Sequence, residues 1–256
     1  MDEALSNAGG MTEHDEYPQE LVDSLLGALT CVTARLKSQR NSVWRIRSAG
    51  DDLVVRLSGV RPPRPIVDFE REVALQAAAA AQGLAPDVIA FDVDRELLIS
   101  EYVDASSELP LADPLEFVVP TLQALHAVPV DGLPTGPTDL QLFEGYGVSS
   151  DALAPEIRPL GVSSDSARVI CHHDVHLGNV RHGQRTLLID WEYARCAEPL
   201  HELAVCAENF ELSELEACAL LERYFDSPID ALLHERFTVY RKRARLWFAL
   251  WRERYQ

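Results

Sequence analysis

The sequence predicts an α+β protein in which a small antiparallel sheet precedes a larger, mostly helical part. The first hundred residues alternate as strand, strand, helix, strand, strand. Beyond Asp104, apolar residues recur at helical spacing in five segments. Short strands and a polar loop interrupt these helices between residues 167 and 194. A strand-rich part followed by a helix-rich part is typical of the α+β class.

The predicted first lobe spans residues 17–103. Leucine and valine recur at helical spacing from Pro18 to Leu36, which predicts an amphipathic helix at its start. SVWRIRSAGDDLVVRLSG then predicts a β-hairpin that turns at AGDD. VDFEREVALQAAAAAQG predicts the main helix, which ends at its final glycine, and DVIAFDVDRELLISEYV predicts two further strands. A polar tail, residues 1–16, precedes this lobe, and Met11 is an alternative start.

The predicted second lobe spans residues 104–256 and is mostly helical. Short strands in RVIC and RTLLID frame a polar loop within it. Helices are expected at Leu115–His126, Leu140–Tyr146, Leu200–Cys206, Leu215–Phe225 and along the C-terminal segment.

Charge and composition exclude several classes of partner. A net charge of -18 leaves no basic face for a nucleic acid, whereas it favours a cationic ligand. No apolar run approaches the roughly 18 residues that span a bilayer, so no membrane partner is expected. The N-terminus lacks the basic and apolar regions of a signal peptide, which predicts a cytoplasmic protein. The five scattered cysteines are typical of reduced thiols.

The run VICHHDVHLGNV, residues 169–180, concentrates side chains that can carry chemistry. Asp174 and Asn179 lie five apart on a predicted loop, and Asp190 ends the apolar strand LLID. One carboxylate can accept the proton of an attacking hydroxyl, while an amide and a second carboxylate suit Mg²⁺, which prefers oxygen ligands. We therefore predict a phosphoryl-transfer site with Asp174 as the base and with Asn179 and Asp190 as Mg²⁺ ligands. His172 is predicted to brace the loop.

The histidines of this run offer an alternative interpretation, a zinc site. His172 and His176 are four residues apart, a spacing that places two ligands on one face only in a helix. Gly178 favours a loop here, and no further cysteine or Glu-x-x-His motif lies nearby in the sequence to complete four ligands. We predict that these histidines do not hold zinc.

ICHHDVHLGNV followed by LLIDWEYARCAEPLHELA resembles the aminoglycoside phosphotransferase and choline kinase superfamily. Through IDWEYA, the resemblance is greatest to the choline/ethanolamine kinase and thiamine kinase-like branch. It extends over residues 21–251, although only the two central motifs are sharp. The resemblance implies a bilobal, protein-kinase-like fold, Mg²⁺ as cofactor, and ATP as phosphoryl donor, with GTP as an alternative.

The resemblance also implies a nucleotide site. Arg56 in LVVRLSG stands where a kinase has its strand lysine, and a guanidinium can chelate phosphate oxygens. Glu72 matches the helix glutamate that orients this cation, with Glu70 as an alternative. Asn41 resembles the asparagine of the loop that covers the phosphates, although LKSQRNSVW contains no glycine. LLISEYV resembles the strand that leads to the hinge, whose backbone would face a purine at Ser100, Glu101, Tyr102 and Val103.

Aromatic residues predict where the acceptor binds. Trp191 and Glu192 directly follow Asp190 within the second motif, and Trp251 lies in RLWFALWRERY, which resembles the tryptophan-containing helix of choline kinases. Aromatic faces with a carboxylate form a box for a positive nitrogen, with cation–π energies of about 0.5–2 kcal/mol. The alternative is that this aromatic stripe belongs to the core, as we expect for Trp247.

Glu198 and Glu202 depart from the family pattern, which usually has aspartate at both positions. The charge is retained while the side chain is longer, so helix docking or acceptor geometry is expected to differ. Both glutamates add to the acidic character of the predicted acceptor region.

We predict an ATP-dependent small-molecule kinase whose acceptor is a cationic amino alcohol or a related compound, such as choline, ethanolamine or thiamine. One alternative is an aminoglycoside phosphotransferase, whose acceptor would favour more acidic and fewer aromatic residues. The other is a nucleotide-binding pseudokinase with a regulatory role. The glycine-free loop favours a pseudokinase, whereas the complete set of Asp174, Asn179 and Asp190 disfavours it.

Overall fold

The computed structural model describes residues 16–38, 40–59, 66–104, 113, 115–149, 168–183 and 185–255. The chain forms two compact units. Of the described residues, the first contains those up to Gly59 together with Ile89–Tyr102, and the second contains residues 66–88 together with those from Val103 onward. Apart from Glu16, the predicted N-terminal tail lies outside the described residues. None of the described helices combines the length and apolarity that a membrane crossing requires.

The first unit is built on a five-stranded antiparallel sheet with the strand order β1-β2-β3-β5-β4. A short helix, α1, precedes the sheet and buries Val22 against it. The elements are α1 (Gln19–Leu26), β1 (Thr30–Leu36), β2 (Ser42–Ser48), β3 (Asp51–Leu57), β4 (Val88–Asp92) and β5 (Leu97–Glu101).

The predicted hairpin is confirmed. Strands β2 and β3 pair in register from Ser42↔Leu57 to Ser48↔Asp51. Ala49 and Gly50 form the turn with φ values of 52° and 101°, the left-handed conformation that tight hairpin turns require. Side chains alternate between the two faces, because successive residues of a strand point in opposite directions. One face therefore packs a core cluster: Trp44, Ile46, Leu53, Val55, Leu97 and Ile99.

The helix predicted from Pro18 to Leu36 is wrong in its second half. Helix α1 ends at Leu26, and Gly27 adopts a left-handed conformation (φ 62°) that terminates it. The chain then reverses, held by the Asp23 carboxylate, which accepts hydrogen bonds from the amide and hydroxyl of Thr30 at 2.8 and 2.6 Å. β-branched residues in TCVT favour the strand that follows. Pairing with β2 thus overrides the helical spacing of the apolar residues.

The second unit contains the remaining elements, and the helices predicted beyond residue 104 are confirmed within two or three residues at their ends. The elements are α2 (Phe69–Ala80), α3 (Leu115–His126), β6 (Val169–Cys171), β7 (Val180–His182), β8 (Thr186–Leu188), β9 (Arg195–Ala197), α4 (Asp139–Gly145), α5 (Pro199–Asn209), α6 (Glu214–Phe225) and α7 (Ala231–Tyr255).

Helix α2 belongs to the second unit, although the sequence placed it in the first lobe. Asp68 caps its N-terminus by accepting the amide of Arg71 at 3.0 Å. Leu75 and Ala79 are completely buried in a cluster that includes residues of α3 and α5, such as Leu122. The apolar face of α2 is therefore buried within the core of the second unit.

Two small β-ladders hold the polar loop of the second unit. The sequence predicted strands in RVIC and RTLLID, and both are present, as β6 and β8. Each pairs with a further strand: β6 with β9, and β7 with β8. In the β7–β8 ladder, Val180 lies opposite Leu188. This register fixes which residues meet at the end of the hairpin.

Candidate active site

The β7–β8 hairpin brings the two predicted metal ligands together. Asn179 precedes β7 and Ile189 follows β8, and the amide of Ile189 donates to the carbonyl of Asn179 at 2.9 Å. Asp190 is the next residue. Its backbone is left-handed (φ 67°), a conformation that is uncommon for residues other than glycine. The pairing register, rather than sequence proximity, therefore makes Asn179 and Asp190 neighbours.

Asn179 also holds Asp174, the predicted base, in position. Its Nδ2 donates to Asp174 Oδ2 at 2.9 Å and to the Asp174 carbonyl at 3.0 Å. Asn179 is 7% exposed, so these bonds lie largely out of water. The Asp174 carboxylate keeps 28% of its side-chain surface exposed. A carboxylate held by a buried amide and open to solvent on one side can receive a proton from an incoming group.

His172 links the loop to the second motif. Its Nε2 donates to the carbonyl of Ile189 at 3.0 Å, and its Nδ1 accepts the amide of Asp174 at 3.3 Å. The ring lies edge-on to Trp191, with centroids 4.7 Å apart. Burial lowers the pKa of His172 to about 4, so the imidazole is neutral at physiological pH. Both ring nitrogens bond protein groups, which leaves neither for zinc and agrees with the predicted bracing role.

Glu202 holds the backbone of the loop that carries Asp174. Its carboxylate accepts hydrogen bonds from the amides of His172 and His173, the latter at 3.0 Å. The side chain has no exposed surface, and burial raises its pKa to about 8. The sequence placed Glu202 near the acceptor, whereas the structure uses it to hold the loop backbone. Only the tertiary fold, which packs α5 against β6, reveals this role.

His176 is the more exposed histidine of the loop. Its Nε2 lies 3.7 Å from Asp174 Oδ2. The nearby Asp174 carboxylate raises the pKa of His176, and the charge of Asp190 acts in the same direction. The two aspartates thus create a negative field at the end of the β7–β8 hairpin, as a cation site requires.

The donor set at this end of the hairpin fits Mg²⁺. Asn179 uses Nδ2 for Asp174, so its side-chain oxygen is directed away from that carboxylate. An amide oxygen and the Asp190 carboxylate are hard oxygen donors, and Mg²⁺ commonly binds one or two protein oxygens while it keeps water molecules. The assignment of these two residues as ligands stays a prediction.

In the first unit, Arg56 lies on β3 between β2 and β5, opposite Val43 and Leu98. It is 9% exposed, which is low for an arginine. Glu72, its predicted partner, belongs to the second unit and is 1% exposed in the first turn of α2. The pairing of Arg56 with Glu72 stays a prediction.

The turn between β1 and β2 packs against a glycine from a distant part of the chain, Gly59. Asn41 Oδ1 accepts the amide of Gly59 at 3.3 Å, which joins this turn to the end of β3. A Cβ on Gly59 would lie 1.8 Å from the Arg40 carbonyl oxygen, so only glycine fits without a backbone shift. The sequence gives a signal for this contact only in the SG pair that ends LVVRLSG.

The predicted hinge residues lie at the end of β5. Ser100 and Glu101 pair with Val54 and Leu53 of β3. The amide of Tyr102 donates to the Asp52 carbonyl at 3.1 Å, and the Tyr102 ring stacks under the Arg45 guanidinium at 3.9 Å. The sheet uses the Tyr102 amide, so this group is not available to a purine. Val103 follows in the second unit and is half-buried.

Arg71 ties helix α2 to the segment after Asp190. Its guanidinium donates to the carbonyls of Ala194 at 2.9 Å and Ile66 at 2.8 Å, and it is 5% exposed. No motif in the sequence points to this residue. An arginine in a helix surface pattern gives no sign that the fold buries it.

The comparison of the sequence with family models decides the family. Residues 32–244 match the model described as the Phosphotransferase enzyme family. The chain belongs to this family. It is therefore a phosphotransferase that acts on a hydroxyl group of a small molecule, as the resemblance of the two central motifs predicted. A comparison with curated proteins gives no significant match.

Solved structures similar to this phosphotransferase show the kinase-like fold. The choline kinase LicA from Streptococcus pneumoniae, in complex with AMP, is similar with a TM-score of 0.71 and 20% identity, covering 91% of this chain and 87% of that one. A choline/ethanolamine kinase family protein from Mesorhizobium loti gives 0.67 and 20%, covering 85% and 77%. The aminoglycoside phosphotransferase APH(4)-Ia, with ADP and hygromycin B, gives 0.61 and 16%, covering 93% and 92%. The predicted α+β kinase-like fold is confirmed.

Two of the predicted acceptor residues of the phosphotransferase are core residues. Trp191 has no exposed surface, and its indole N–H donates to the Leu188 carbonyl at 2.9 Å. Glu192 is 2% exposed. Because a buried indole offers no surface to a ligand, we leave Trp191 and Glu192 out of the acceptor site proposed below. The IDWEYA motif did not reveal that its tryptophan packs inward, against His172.

The C-terminal helix carries the exposed part of the aromatic cluster. Trp247 is buried, as expected, with its ring 5.6 Å from that of Tyr193. Trp251 is half-buried, and its indole N–H lies 2.7 Å from the Tyr193 hydroxyl. Glu198, the other predicted acidic residue, forms an ion pair with Arg236 at 2.8 Å. Of the predicted acceptor residues, Trp251 retains surface for a ligand.

Proposed function

We propose that this phosphotransferase transfers the γ-phosphoryl group of ATP to a hydroxyl of a small molecule that carries a positive nitrogen. The observation that carries the proposal is the position of Asn179. Its side chain bonds Asp174 Oδ2, while its carbonyl bonds the amide of Ile189, the neighbour of Asp190. Asn179, itself a predicted metal ligand, thereby links the predicted base to the backbone beside Asp190, the other predicted ligand.

Asp174 is the proposed base. Asn179 engages Oδ2, so Oδ1 is the oxygen that accepts the proton of the acceptor hydroxyl. His172 restrains the Asp174 amide, and Glu202 restrains the two amides before it. A base held from three sides requires little reorganisation when the hydroxyl arrives, which lowers the entropic cost of the reaction.

Asn179 Oδ1 and the Asp190 carboxylate are the proposed Mg²⁺ ligands. When bound, Mg²⁺ neutralises charge that develops on the phosphate oxygens. The left-handed backbone at Asp190 sets the direction of its side chain, and the Ile189–Asn179 bond keeps the two donors adjacent. His172 supports the same turn through the Ile189 carbonyl.

Arg56 is the proposed cation for the α- and β-phosphates, with Glu72 orienting it. Its low exposure on an inner strand supports a fixed guanidinium, which binds phosphate through two parallel hydrogen bonds. The turn that carries Asn41 is the proposed cover for the phosphates. The hydrogen bond from the Gly59 amide to Asn41 Oδ1 joins that turn, which has no glycine of its own, to the end of β3.

A cationic acceptor is the proposed substrate class. The net charge of -18 attracts cations, and the half-buried Trp251 offers aromatic surface on α7. Similar structures are named as kinases of choline and ethanolamine, both of which carry a positive nitrogen close to a primary hydroxyl. A second candidate class is the aminoglycosides, favoured by the similarity to APH(4)-Ia over almost the full length of both chains.

A matched pair of acceptors tests the proposal. Choline and its neutral carbon analogue, in which carbon replaces the quaternary nitrogen, share shape and hydroxyl but differ in charge. We expect phosphorylation of choline, ethanolamine, thiamine or an aminoglycoside to exceed that of a neutral analogue by about two- to thirtyfold, because cation–π contacts contribute about 0.5–2 kcal/mol. Equal use of choline and its neutral analogue, or strict use of sugars without an amine, would contradict a cation-selective site.

Trp251 gives a mutational test of the same claim. Trp251→Ala should raise the acceptor KM, or lower kcat, while nucleotide binding is unchanged, because the indole is proposed to contact only the acceptor. Trp251→Phe retains an aromatic face and should recover part of the loss. Unchanged acceptor kinetics in Trp251→Ala would remove Trp251 from the site.

A further inference from the structure

Three potential metal ligands converge beneath the catalytic loop, on three different elements of the second unit. They are His126 at the end of α3, Cys171 at the end of β6 and Glu202 in α5. A ring nitrogen of His126, Cys171 Sγ and a carboxylate oxygen of Glu202 all lie within 4.8 Å of one another. Cys171 and Glu202 have no exposed surface, and His126 is 9% exposed. The cluster is therefore an interior feature.

The orientation of His126 is fixed by a neighbour. Its Nδ1 lies 2.7 Å from the Tyr224 hydroxyl. Its Nε2 is buried and has no hydrogen-bond partner among the described residues. Such a nitrogen calls for an explanation, because buried polar atoms nearly always have a partner or an ion. An imidazole that bonds a second group through one nitrogen and presents the other is the usual arrangement of a metal-binding histidine.

The charges of the cluster balance those of a divalent cation. Because Cys171 and Glu202 have no exposed surface, a charge on either is costly without a partner cation, which favours their protonated forms. A dication would take the place of both protons, which leave to solvent, and bind a thiolate, a carboxylate and a neutral imidazole. The resulting site carries no net charge, as a buried site requires.

We propose that His126, Cys171 and Glu202 bind a structural Zn²⁺ ion. Zn²⁺ accepts sulfur, nitrogen and oxygen ligands together and commonly has four ligands, so a water molecule or a further protein atom completes the set. Mg²⁺ does not suit this cluster, because it prefers oxygen donors. The site is separate from the proposed Mg²⁺ site at Asn179 and Asp190.

The zinc ion would secure the base of the catalytic loop. Cys171 directly precedes His172, and the Glu202 carboxylate accepts the amides of His172 and His173. An ion bound to Cys171 and Glu202 thus restrains the backbone two residues before Asp174. The alternative explanation for the cluster is a protonated Glu202 and a buried water that bonds His126 Nε2.

Metal analysis of the full chain tests the proposal. The protein is purified without metal-affinity resin from zinc-supplemented medium, and its zinc is measured by mass spectrometry after gel filtration. We expect about one Zn²⁺ per chain, with loss of most of it in Cys171→Ser and in His126→Gln. Cys196→Ser is the matched control, since Cys196 is buried on the partner strand β9 but lies outside the cluster; it should retain the zinc.

Cobalt substitution keeps the test decisive even where a cluster variant does not fold. A second group, Glu214, Cys218 and His234, could bind an ion near the surface, so the experiment uses the Cys218→Ser variant as background. Apo protein in this background should show a thiolate-to-cobalt charge-transfer band on addition of Co²⁺. Absence of both the band and stoichiometric zinc would overturn the proposal, as would zinc that persists in folded Cys171→Ser and His126→Gln.

Discussion

The loop that carries Asp174 and the turn that carries Asn41 are held in different ways. Around Asp174, the protein uses buried groups from several elements: the Asn179 amide, the His172 ring and the Glu202 carboxylate. Around Asn41, the hydrogen bonds to Gly59 and Ser38 are both 3.3 Å long and join groups that are at least partly exposed.

This difference indicates that the two regions affect different quantities, turnover around Asp174 and nucleotide affinity around Asn41. Buried hydrogen bonds fix geometry, because loss of one partner leaves a polar group unsatisfied, whereas water can replace a partner in a partly exposed turn. We therefore expect substitutions around Asp174 to change turnover strongly and substitutions around Asn41 to change mainly nucleotide affinity.

Asp174→Asn should lower kcat by at least about a hundredfold, in the range expected for loss of a general base. The amide replaces the carboxylate at nearly the same volume, so nucleotide binding and stability should be retained. Steady-state kinetics with a nucleotide-binding measurement on the same preparation checks this. Near-normal turnover would remove Asp174 from the role of base.

Arg56→Ala should weaken nucleotide binding by about tenfold or more, since a charge-assisted hydrogen bond contributes about 1.5–3 kcal/mol. Arg56→Lys retains the charge but loses the paired donors, so it should recover only part of the affinity. Titration with a non-hydrolysable ATP analogue measures both. Wild-type affinity in Arg56→Ala would mean that another cation binds the phosphates, for example Arg40.

Glu202→Ala should lower the free energy of unfolding by about 1–3 kcal/mol for each amide that loses its partner. Glu202→Gln keeps one acceptor oxygen and should lose less. Glu198→Ala is the matched control and should lose less, because Glu198 pairs with Arg236, whose side chain is 39% exposed and can be solvated when its partner is removed. Equal losses in Glu202→Ala and Glu198→Ala, measured by urea unfolding, would contradict the supporting role of Glu202.

Gly59→Ala should raise the KM for ATP several-fold with a smaller change in kcat. The added Cβ meets the Arg40 carbonyl oxygen, so the turn that carries Asn41 must shift. Gly183→Ala is the control, because a Cβ there has no atom within 4 Å. If both variants show wild-type kinetics, the turn does not contribute to nucleotide binding.

Local patterns predicted most of the fold. The hairpin turn at Ala49 and Gly50 and the helices α3 to α7 follow from residue spacing and turn chemistry, which act over a few residues. The error at β1 also comes from a local pattern, because leucines at helical spacing favoured a helix. The segment forms a strand because Gly27 ends α1 and β1 then pairs with β2.

The sequence identifies site residues that belong to a short motif. It does not identify roles that arise when the fold brings distant residues together. Asp174, Asn179 and Asp190 occupy two short motifs, and the register of one hairpin joins them. In contrast, the inward packing of Trp191 and the loop contact of Glu202 depend on tertiary burial. Sequence spacing carries no information about which side of a loop faces the core.

The most direct test of the central claim is phosphoryl transfer itself. Wild-type protein is incubated with ATP, Mg²⁺ and the panel of amino alcohols, thiamine and aminoglycosides, and the products are followed by ³¹P NMR. We predict a new phosphomonoester signal that grows together with ADP, requires Mg²⁺ and is absent with Asp174→Asn. Nucleotide binding without any phosphomonoester from any acceptor of the panel would contradict the account and favour a regulatory, non-catalytic role.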